Sequence, residues 1–518
     1  MMRKVVISIM LLHFVIKGFS QKVIPVDLIE LTKITLAKNP LVKQNLLTVK
    51  DAEGSLRIQR SAFDYQLTSG ISSNRNTFSL LEADPRNNFI NKLKSEGTNV
   101  SIGFKKTFRS SLTANLEVDY KLATDNYPIN RFNQNVGEYI GNHTVLSTFS
   151  LTQPLLRGRG KSISTALEQA SKLNLESTNH TAEFRNSFEL FQMSIAYWEY
   201  VTAYKSLTIY KENEARVTRV LEITQELVKA DRRPASDLDQ VKADLANQER
   251  QTKVAEQILY NAKLNLGRAI GLSEDDSKKL GTPLDQFPAI NKSGYTEKLN
   301  ENIFLEIAQK NRADIEAAKK IQKALELRLK LSENSKKPQL DLSGFVSYGG
   351  INSGNGLSTA LATFSRNEGR DLGYGLRLNF TFPLNNNLAK GNFIRNKVAL
   401  KDQEITTENL ERNINLDVSI AFNNLKNNVG VLKKAKEALE FYKQVYNNEQ
   451  IKFRNGMTIL LNLIQFQERL TFAELDYLRA HQQFAKAIVN IRYVTGTLLV
   501  NKNGGSDVNK TLFFTIPN

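Results

Sequence analysis

A strand that passes directly into a very long helix is the feature of this sequence that most constrains its fold. The period of two that is typical of a strand places three apolar residues on one face and three polar residues on the other, namely Val145, Phe149 and Leu151 against Thr148, Ser150 and Thr152. Pro154 ends the alternation, because proline has no amide hydrogen to donate to a neighbouring strand. After Gly158 and Gly160, a run without glycine or proline predicts a helix over 161–231. We expect the proline and the two glycines to redirect the backbone at this junction rather than to contact a solute.

The same junction occurs a second time. Residues 374–382 alternate in the same way, Pro383 ends them, and an Asn-rich turn leads into a predicted helix over 392–455. Each long helix is followed by a turn and a second helix, over 235–270 and 457–495. A helix of about 70 residues is on the order of 100 Å long, which exceeds what a globular core requires.

Short sequence matches indicate that the chain contains two internal repeats. Residues 194–197 recur as 419–422, and 266–271 recur more loosely as 491–496 with the same offset. We predict a first repeat over 21–272, which consists of a helix, strands in 66–154, the long helix 161–231 and the helix 235–270. A linker over 273–294 follows. The second repeat, over 295–500, consists of a helix over 295–337, strands in 339–383 and helices over 392–455 and 457–495, and a C-terminal tail covers 501–518.

Residues 1–20 have the features of a secretory signal peptide. Arg3 and Lys4 form its charged beginning, 5–16 its mainly apolar core and 18–20 its cleavage site. About a dozen apolar residues cannot span a bilayer, which requires roughly 20. No later segment is apolar over that length, so we expect any membrane to be crossed by strands.

The composition excludes several classes of function. The chain has no cysteine, which excludes disulfides, thiolate metal sites, a catalytic cysteine and a lipid anchor on cysteine. Its four histidines are scattered without ligand spacing, and we find no nucleophile or acid–base motif. We therefore predict neither an enzyme nor a metal or cofactor site. The formal net charge of +17 is spread over helix faces among acidic residues, which indicates a solvated surface and not nucleic-acid binding.

The last predicted helix carries a coiled-coil seam. Its apolar residues recur with alternating spacings of three and four, which predicts left-handed coiled-coil packing. The seam consists of Leu463, Phe466, Leu470, Ala473, Tyr477, Ala480, Phe484, Ala487, Ile491 and Val494.

The strand regions contain six candidate strands. Four lie in 66–73, 100–104, 112–122 and 143–153, and two lie in 339–383. Segments of about ten alternating residues suit a barrel that spans a bilayer, but the smallest such barrels have about eight strands. We therefore expect the chain to share its barrel with copies of itself. The sequence leaves open whether the hairpin in 97–123 joins that barrel or projects from it.

These features together resemble the TolC family of outer-membrane efflux proteins, over nearly all of the mature chain. The order of the motifs, in duplicate, is more specific than any one of them. They are the junction Gln153-Pro154-Leu155 with its weaker echo Phe382-Pro383-Leu384, the segment Ala196-Tyr197-Trp198, the helix end Thr495-Gly496-Thr497-Leu498, and the turn-flanking segments 236–243 and 453–463.

The resemblance implies an α+β membrane protein. Its fold would be a trimeric β-barrel in the outer membrane that continues into a long α-helical coiled-coil tunnel across the periplasm. The implied homotrimer contacts outer-membrane lipid, a periplasmic adaptor (membrane fusion) protein and an inner-membrane transporter. The implied function is the exit duct of a tripartite efflux pump or a type I secretion system, which passes solutes from the periplasmic side to the exterior.

The sequence departs from the family pattern at the implied periplasmic aperture. The family closes this end with acidic rings and with polar ties between coils, but Asn462 and Gln465 stand where ring carboxylates are expected. Asp237 stands at the latch position, while Phe453 and Thr458 replace its aromatic-hydroxyl and guanidinium partners. The two amides equally fit a solvated helix face. The carboxylate equally fits a helix N-terminus, where the helix dipole favours it.

Two other classes of function remain open from the sequence. A periplasmic coiled-coil adaptor or scaffold would share the heptads but should lack the alternating strands and the duplicated helix pairs. The other alternative is a simple outer-membrane porin or a barrel enzyme. An enzyme would require a convergent set of polar side chains, which the sequence does not indicate.

Overall fold

The structure, a computed structural model, describes residues 24–88, 90–126, 141–354, 356–365, 370–502, 505–507 and 509–517. The predicted signal peptide over 1–20 lies outside the described residues, as does most of 124–142, whose polar sequence predicts a long loop. The strands are β1 (Ile24–Val26), β2 (Tyr65–Ser79), β3 (Lys92–Thr107), β4 (Thr113–Asp125), β5 (Gly141–Pro154), β6 (Leu280–Pro283), β7 (Gln339–Gly354), β8 (Arg370–Thr381), β9 (Val500–Lys502) and β10 (Gly505–Asp507). The helices are α1 (Leu28–Lys38), α2 (Pro40–Arg60), α3 (Lys161–Ser164), α4 (Ala166–Lys229), α5 (Ser236–Ile270), α6 (Glu274–Lys278), α7 (Glu301–Asn311), α8 (Ala313–Ser335), α9 (Leu357–Ser365), α10 (Asn387–Arg454) and α11 (Leu460–Val494).

The chain forms two compact units, each discontinuous in sequence. The helical unit comprises residues within 1–49, 178–317 and 407–518. The sheet unit comprises residues within 50–177 and 318–406. Each unit draws on both predicted repeats, because strands or helices of the two halves pack together within it.

The sheet unit contains one antiparallel sheet of six strands in the order β2-β3-β4-β5-β7-β8. Each neighbouring pair is antiparallel, and the join between the two halves of the sequence is the ladder of β5 against β7. The six strand segments predicted from the sequence all lie in this sheet. The hairpin in 97–123, whose position the sequence leaves open, supplies two of its interior strands, β3 and β4.

The strands extend further from the junctions than the sequence predicts. Strand β2 was expected over 66–73 and continues to Ser79, and β3 was expected over 100–104 and begins at Lys92. Apart from the opposed pair Phe78 and Leu93, the additional residues are polar or glycine on both faces, so hydrophobic alternation does not mark them. Between β7 and β8 the structure has α9, which the sequence pattern does not predict.

The helical unit has three hydrophobic clusters. The first surrounds Trp198 and Tyr197 of α4, which are completely buried. The second joins α7, α10 and α11, and the third joins α4, α5, α10 and α11. Eight of the ten predicted seam residues of α11 are buried, and Phe466 and Tyr477 are half-buried. The seam therefore faces the core of the helical unit, while its left-handed coiled-coil packing stays a prediction. Within the described residues, no helix is both long enough and apolar enough to cross a membrane.

The segment 295–337 is not one helix, as the sequence predicts, because the chain is extended at Arg312 between α7 and α8. The Arg312 guanidinium binds both carboxylate oxygens of Asp314, at 2.8 and 2.6 Å. It also donates to the carbonyl oxygen of Val494 at 3.2 Å. A tertiary contact thus ends a helix that contains neither glycine nor proline.

The other helices differ from the predicted ranges mainly at their ends. The helix expected over 161–231 is interrupted at Thr165, so the short α3 precedes α4. The helix expected over 392–455 begins earlier, at Asn387, and contains Gly391, whose surroundings are open. The helices expected over 235–270 and 457–495 are α5 and α11.

The predicted linker over 273–294 contains α6 and β6, and β6 pairs in parallel with β1. In the predicted tail over 501–518, Phe513 and Ile516 are buried in the hydrophobic clusters. Arg492 of α11 donates to the carbonyl oxygens of Thr515 and Ile516. The sequence of neither segment has a helical or alternating pattern. Each segment is instead held in place by contacts with residues that are distant in sequence.

Candidate membrane face and helical end

One face of the six-stranded sheet carries an apolar row that crosses every strand. A single row of directly opposed residues crosses the sheet, with one residue from each strand in turn: Leu67, Phe104, Leu116, Phe149, Val346 and Tyr374. All six side chains are exposed, and Tyr374 is 80% exposed. An apolar face of this extent on a sheet requires cover from other apolar groups.

The opposite face of the same sheet is polar. The next row is Thr68, Gly103, Glu117, Thr148, Ser347 and Gly373, again one residue from each strand. Successive side chains of a strand point to opposite faces. Moving one residue along each strand therefore leads from the apolar row on one face to the polar row on the other. This is the arrangement of a wall with lipid on one side and water on the other.

The end of the sheet beside the helix junctions carries an amphipathic lysine. Lys106 lies on the apolar face, opposite Tyr65, and its ammonium group lies 3.8 Å from the centre of that ring. The ammonium also donates to the carbonyl oxygen of Phe63. A lysine that lays its stem along apolar surface and directs its charge to a polar end is typical of the boundary between lipid and water.

The first strand-to-helix junction contains the glycines predicted from the sequence. Gly158 and Gly160 have φ of +80° and +90°, values that favour glycine. The amide of Gly158 donates to Asn334 Oδ1 at 2.8 Å, and its carbonyl oxygen accepts from Ser111 Oγ at 2.7 Å. Pro154 is the last residue of β5. The expectation that these residues act as backbone devices stays a prediction.

A charged contact fixes the turn between β3 and β4 to the start of α4. Arg109 lies in this turn and donates two hydrogen bonds of 2.8 Å to the carboxylate of Glu168. The pKa of that carboxyl is lowered, chiefly by these hydrogen bonds. Ser164 Oγ also donates to the carbonyl oxygen of Arg109. The turn is therefore held by bidentate and backbone contacts together.

The second junction has a different local geometry. Pro383 lies just beyond the end of β8, and α10 begins directly after Asn386. Asn386 has φ of +45° and donates from Nδ2 to the carbonyl oxygen of Lys336 at 3.0 Å. An asparagine here has the conformation that glycine adopts at the first junction, since asparagine tolerates the left-handed region better than most residues.

In the helical unit, two helical turns come together at one end. Arg233, in the turn between α4 and α5, donates to the carbonyl oxygen of Thr458, in the turn between α10 and α11. The same guanidinium lies 5.0 Å from the centre of the Phe453 ring, which is buried. Sequence reasoning missed this contact, because its partners are far apart in the chain and no local pattern marks them.

The three predicted aperture residues lie at this end. Asn462 is half-buried in the first turn of α11 and donates to Thr458 Oγ1 at 3.2 Å. Gln465 is exposed one turn further along the helix. Asp237 is half-buried in the first turn of α5, where the dipole favours a carboxylate. Their roles at an aperture stay a prediction.

The residues that replace the family's latch partners have contacts of their own. Phe453 packs into the third hydrophobic cluster, and Thr458 donates from its hydroxyl to the buried carboxylate of Glu449. This hydrogen bond is the main cause that lowers the pKa of Glu449, which Lys452 also contacts at 3.3 Å. The carboxylate is thus held ionised between α10 and the turn that follows it.

Three buried amides connect α4, α5 and α11 behind this end. Asn213 donates to Gln248 Oε1 at 2.8 Å and accepts from Gln467 Nε2 at 3.2 Å. Beside them, Arg216 binds Glu474 at 2.9 Å. Because an unpaired buried amide is costly, this network favours one alignment of the three helices over shifted ones.

A cavity of about 580 Å³ lies between α4, α10, α11 and the segment 283–287. His481 is stacked on Phe287 within it, with ring centres 5.6 Å apart. Burial lowers the pKa of this histidine to about 4, and the charges of Lys205 and Lys436 act in the same direction. Among the described residues, no group of three or more histidine and acidic side chains is arranged to hold a metal ion.

Comparison with solved structures identifies the fold. The chain is similar to the outer-membrane channel OprN, with a TM-score of 0.65 and 15% identity over 91% of this chain and 90% of that one. It is also similar to the outer membrane protein VceC of Vibrio cholerae (TM-score 0.62, 12% identity, 90% and 96% covered) and to the open state of the MtrE outer membrane channel of Neisseria gonorrhoeae (0.61, 15%, 90% and 88%). At these identities the likeness establishes the fold of the single chain, with its mixed helix and strand content, and agrees with the resemblance to the TolC family. The trimer, the closed barrel and the two repeats stay predictions. No family model and no curated protein matches the sequence.

Proposed function

We propose that this chain is an outer-membrane exit duct. Three copies share a β-barrel in the outer membrane and continue as a helical tunnel into the periplasm. A periplasmic adaptor protein and an inner-membrane transporter dock on the periplasmic end, as parts of a tripartite efflux pump or a type I secretion system. Solutes pass from the periplasmic side to the exterior.

The observation that carries this proposal is the apolar row that crosses all six strands. Pairing satisfies the backbone of the interior strands, and copies that meet at the two edges would satisfy the rest, as lipid requires of any sheet that spans it. The polar row on the other face suits a water-filled lumen. A periplasmic adaptor or scaffold has no use for an exposed apolar sheet.

The helices support a duct in preference to a simple porin. Helices α4 and α10 have 64 and 68 residues, and each is followed by a partner helix of 35 residues. Their shared hydrophobic clusters form a wall of packed helices, which a barrel alone does not require. The solved structures that share this fold are outer-membrane channels by their own descriptions.

Cell fractionation and mild-detergent extraction test the assembly and location. We expect the full chain in the outer-membrane fraction, and a trimer by size-exclusion chromatography with light scattering. A protein recovered soluble from the periplasm, or only as a monomer in mild detergent, would rule the duct out.

The aperture can be tested through its amides. In a trimer, Asn462 and Gln465 would form two neutral rings one helical turn apart, since residues three apart share a helix face. Neutral amides give no net field, whereas carboxylate rings attract cations. We expect the pair Asn462→Asp and Gln465→Asp to gain block by a trivalent cation on the periplasmic side.

Single-channel recording in a planar bilayer measures this block. The matched control is Gln483→Asp, at an exposed position of the same helix, and it should leave the recordings unchanged. A parent channel that is already strongly blocked, or a double variant that does not respond, would show that these amides do not line the aperture.

A further inference from the structure

We infer that three copies of this chain close a barrel of eighteen strands, with the β2 edge of one copy paired to the β8 edge of the next. This inference rests on the proposed function, because it specifies the membrane wall of the same duct. It assigns the interaction surface on each edge and names its partner as a second copy of this chain.

Each of the two edge strands is long and, among the described strands, is paired on one side only. Among the described strands, β2 pairs only with β3 and β8 only with β7. Their free edges comprise 15 and 12 residues, and their apolar side chains are exposed. In lipid, unpaired backbone groups are too costly to remain, so both edges must find partners. Six strands are too few to meet each other, since the smallest stable barrels have about eight.

The hairpin of β3 and β4 is a fixed part of this wall. Its ladders cover the full length of both strands, with β2 on one side and β5 on the other. Its turn is fastened to the helix junction, where Arg109 binds Glu168 and Ser111 Oγ donates to the carbonyl oxygen of Gly158. A hairpin held along both sides and at its turn contributes two strands per copy.

The direction of the two edge strands, and the face on which their side chains lie, both allow the barrel to be closed by further copies of the chain. Because every pair in the sheet is antiparallel, β2 and β8 run in opposite directions, and β8 of one copy meets β2 of the next as another antiparallel pair. The apolar face consists of odd-numbered residues on β2, such as Leu67, and of even-numbered residues on β8, such as Leu376. A continuous apolar face therefore sets Arg377 of β8 opposite an even-numbered residue of β2.

Eighteen strands define a wide wall. With strands about 4.8 Å apart and tilted by about 40°, the backbone of such a barrel is about 36 Å across. Barrels of 16–18 strands leave an aqueous channel, whereas barrels of about eight are filled by their own side chains. The charged residues of the polar face are of both signs, including Lys105, Glu117, Asp119 and Arg377. The lumen is thus suited to large solutes of mixed charge and not to one class of ion.

Disulfide cross-linking in the assembled membrane protein tests the edge pairing, because the parent chain has no cysteine. The first series combines Arg377→Cys with Gln66→Cys, Thr68→Cys or Ser72→Cys on β2, all on the polar face. We expect at least one pair to give covalent dimers and trimers on oxidation. The face control, Arg377→Cys with Leu67→Cys, should give few.

A second series separates the eighteen-stranded wall from a narrower one. It combines Arg377→Cys with Asn115→Cys, Glu117→Cys or Asp119→Cys on the polar face of β4. If β2 and β3 stood outside the wall, β4 would be the edge and this series would cross-link instead. We expect no covalent dimer from it.

The outcomes distinguish the two proposals. A trimer that cross-links through β4, or through neither strand, overturns the eighteen-stranded barrel and leaves the duct intact. A protein that is monomeric before oxidation overturns the duct, and the barrel with it. Cross-links through β2 in a trimer support both.

Discussion

Large apolar residues are buried in one unit of the molecule and exposed in the other. In the helical unit Trp198 is completely buried, together with the tyrosine beside it. In the sheet unit Leu376 is 81% exposed, and the aromatic residues of neighbouring rows are exposed as well. The helical unit supplies its own apolar surroundings, whereas the sheet is suited to surroundings supplied by lipid. Burial within a chain is therefore not the measure of how an apolar side chain stabilises a membrane protein.

Truncating one aromatic residue in each unit should give the largest difference in stability between variants of the two units. We expect Trp198→Ala to lower the stability of the helical unit by about 3–5 kcal/mol, because it removes a buried ring and leaves a cavity. The matched variant is Phe380→Ala on the exposed sheet face, which leaves no cavity within the protein. Thermal unfolding followed by far-UV circular dichroism measures both. Equal losses would contradict the comparison.

A charge introduced on either face of β4 tests the assignment of lipid and lumen. Leu116→Arg introduces the charge in the apolar row and should cost up to about 2–4 kcal/mol in the membrane. Its neighbour Asn115 lies on the polar face, so Asn115→Arg should have little effect. The amount of trimer in outer-membrane extracts is the measurement. If the polar-face variant were the more damaging, the two faces would be reversed.

Two glycines that differ in backbone conformation test the junction. Gly158 has φ of +80°, so Gly158→Ala should cost about 1–2 kcal/mol and reduce assembly, and a valine there should reduce it further. Gly391 is helical in α10 with open surroundings, so Gly391→Ala should stabilise by about 0.5–1 kcal/mol. Trimer yield and melting temperature measure both. Normal assembly of the Gly158 variants with a selective loss of transport would instead indicate contact with solutes.

The smallest expected effect concerns pH. The pKa of His481 is lowered to about 4 in the folded protein, whereas the unfolded value is about 6.5. The unfolded chain therefore binds the proton first, and stability that is fully present above pH 6.5 is lost as the pH falls towards 4. At pH 6 the loss should be about 1 kcal/mol or less.

Melting temperatures between pH 8 and pH 6 measure this loss. The variant His481→Gln should reduce it, while the control His180→Gln, on a partly exposed part of α4, should not. A parent protein whose melting temperature rises as the pH falls, with no change in either variant, would contradict the role of burial at His481.

The sequence predicted those features that have a local period. The alternation over 145–152 identified β5 because most side chains on one face of the strand are apolar, and the heptads identified the buried face of α11 because it packs against other helices. Both patterns reflect surroundings that are uniform along the element.

What the sequence did not predict depends on contacts between distant residues. The break at Arg312 follows from its bonds to Asp314 and to the Val494 carbonyl, not from a helix-breaking residue. At the helical end, the motif around Asp237 located the turn, but the contact of Arg233 with Thr458 could not be read from either turn alone. The place of β3 and β4 in the sheet likewise follows from their pairing with other strands, which their own sequence does not specify.

The exposed apolar row has a consequence for the order in which the protein matures. The helical unit buries its apolar side chains in three clusters of its own, so its core does not need lipid. The sheet has an apolar face and two open edges, which in water would favour aggregation of newly exported chains. In the proposed duct, these strands would need an escort through the periplasm, and their folding would coincide with insertion and with the meeting of three copies. The proposed duct thus implies that export, insertion and assembly are coupled in a single maturation step.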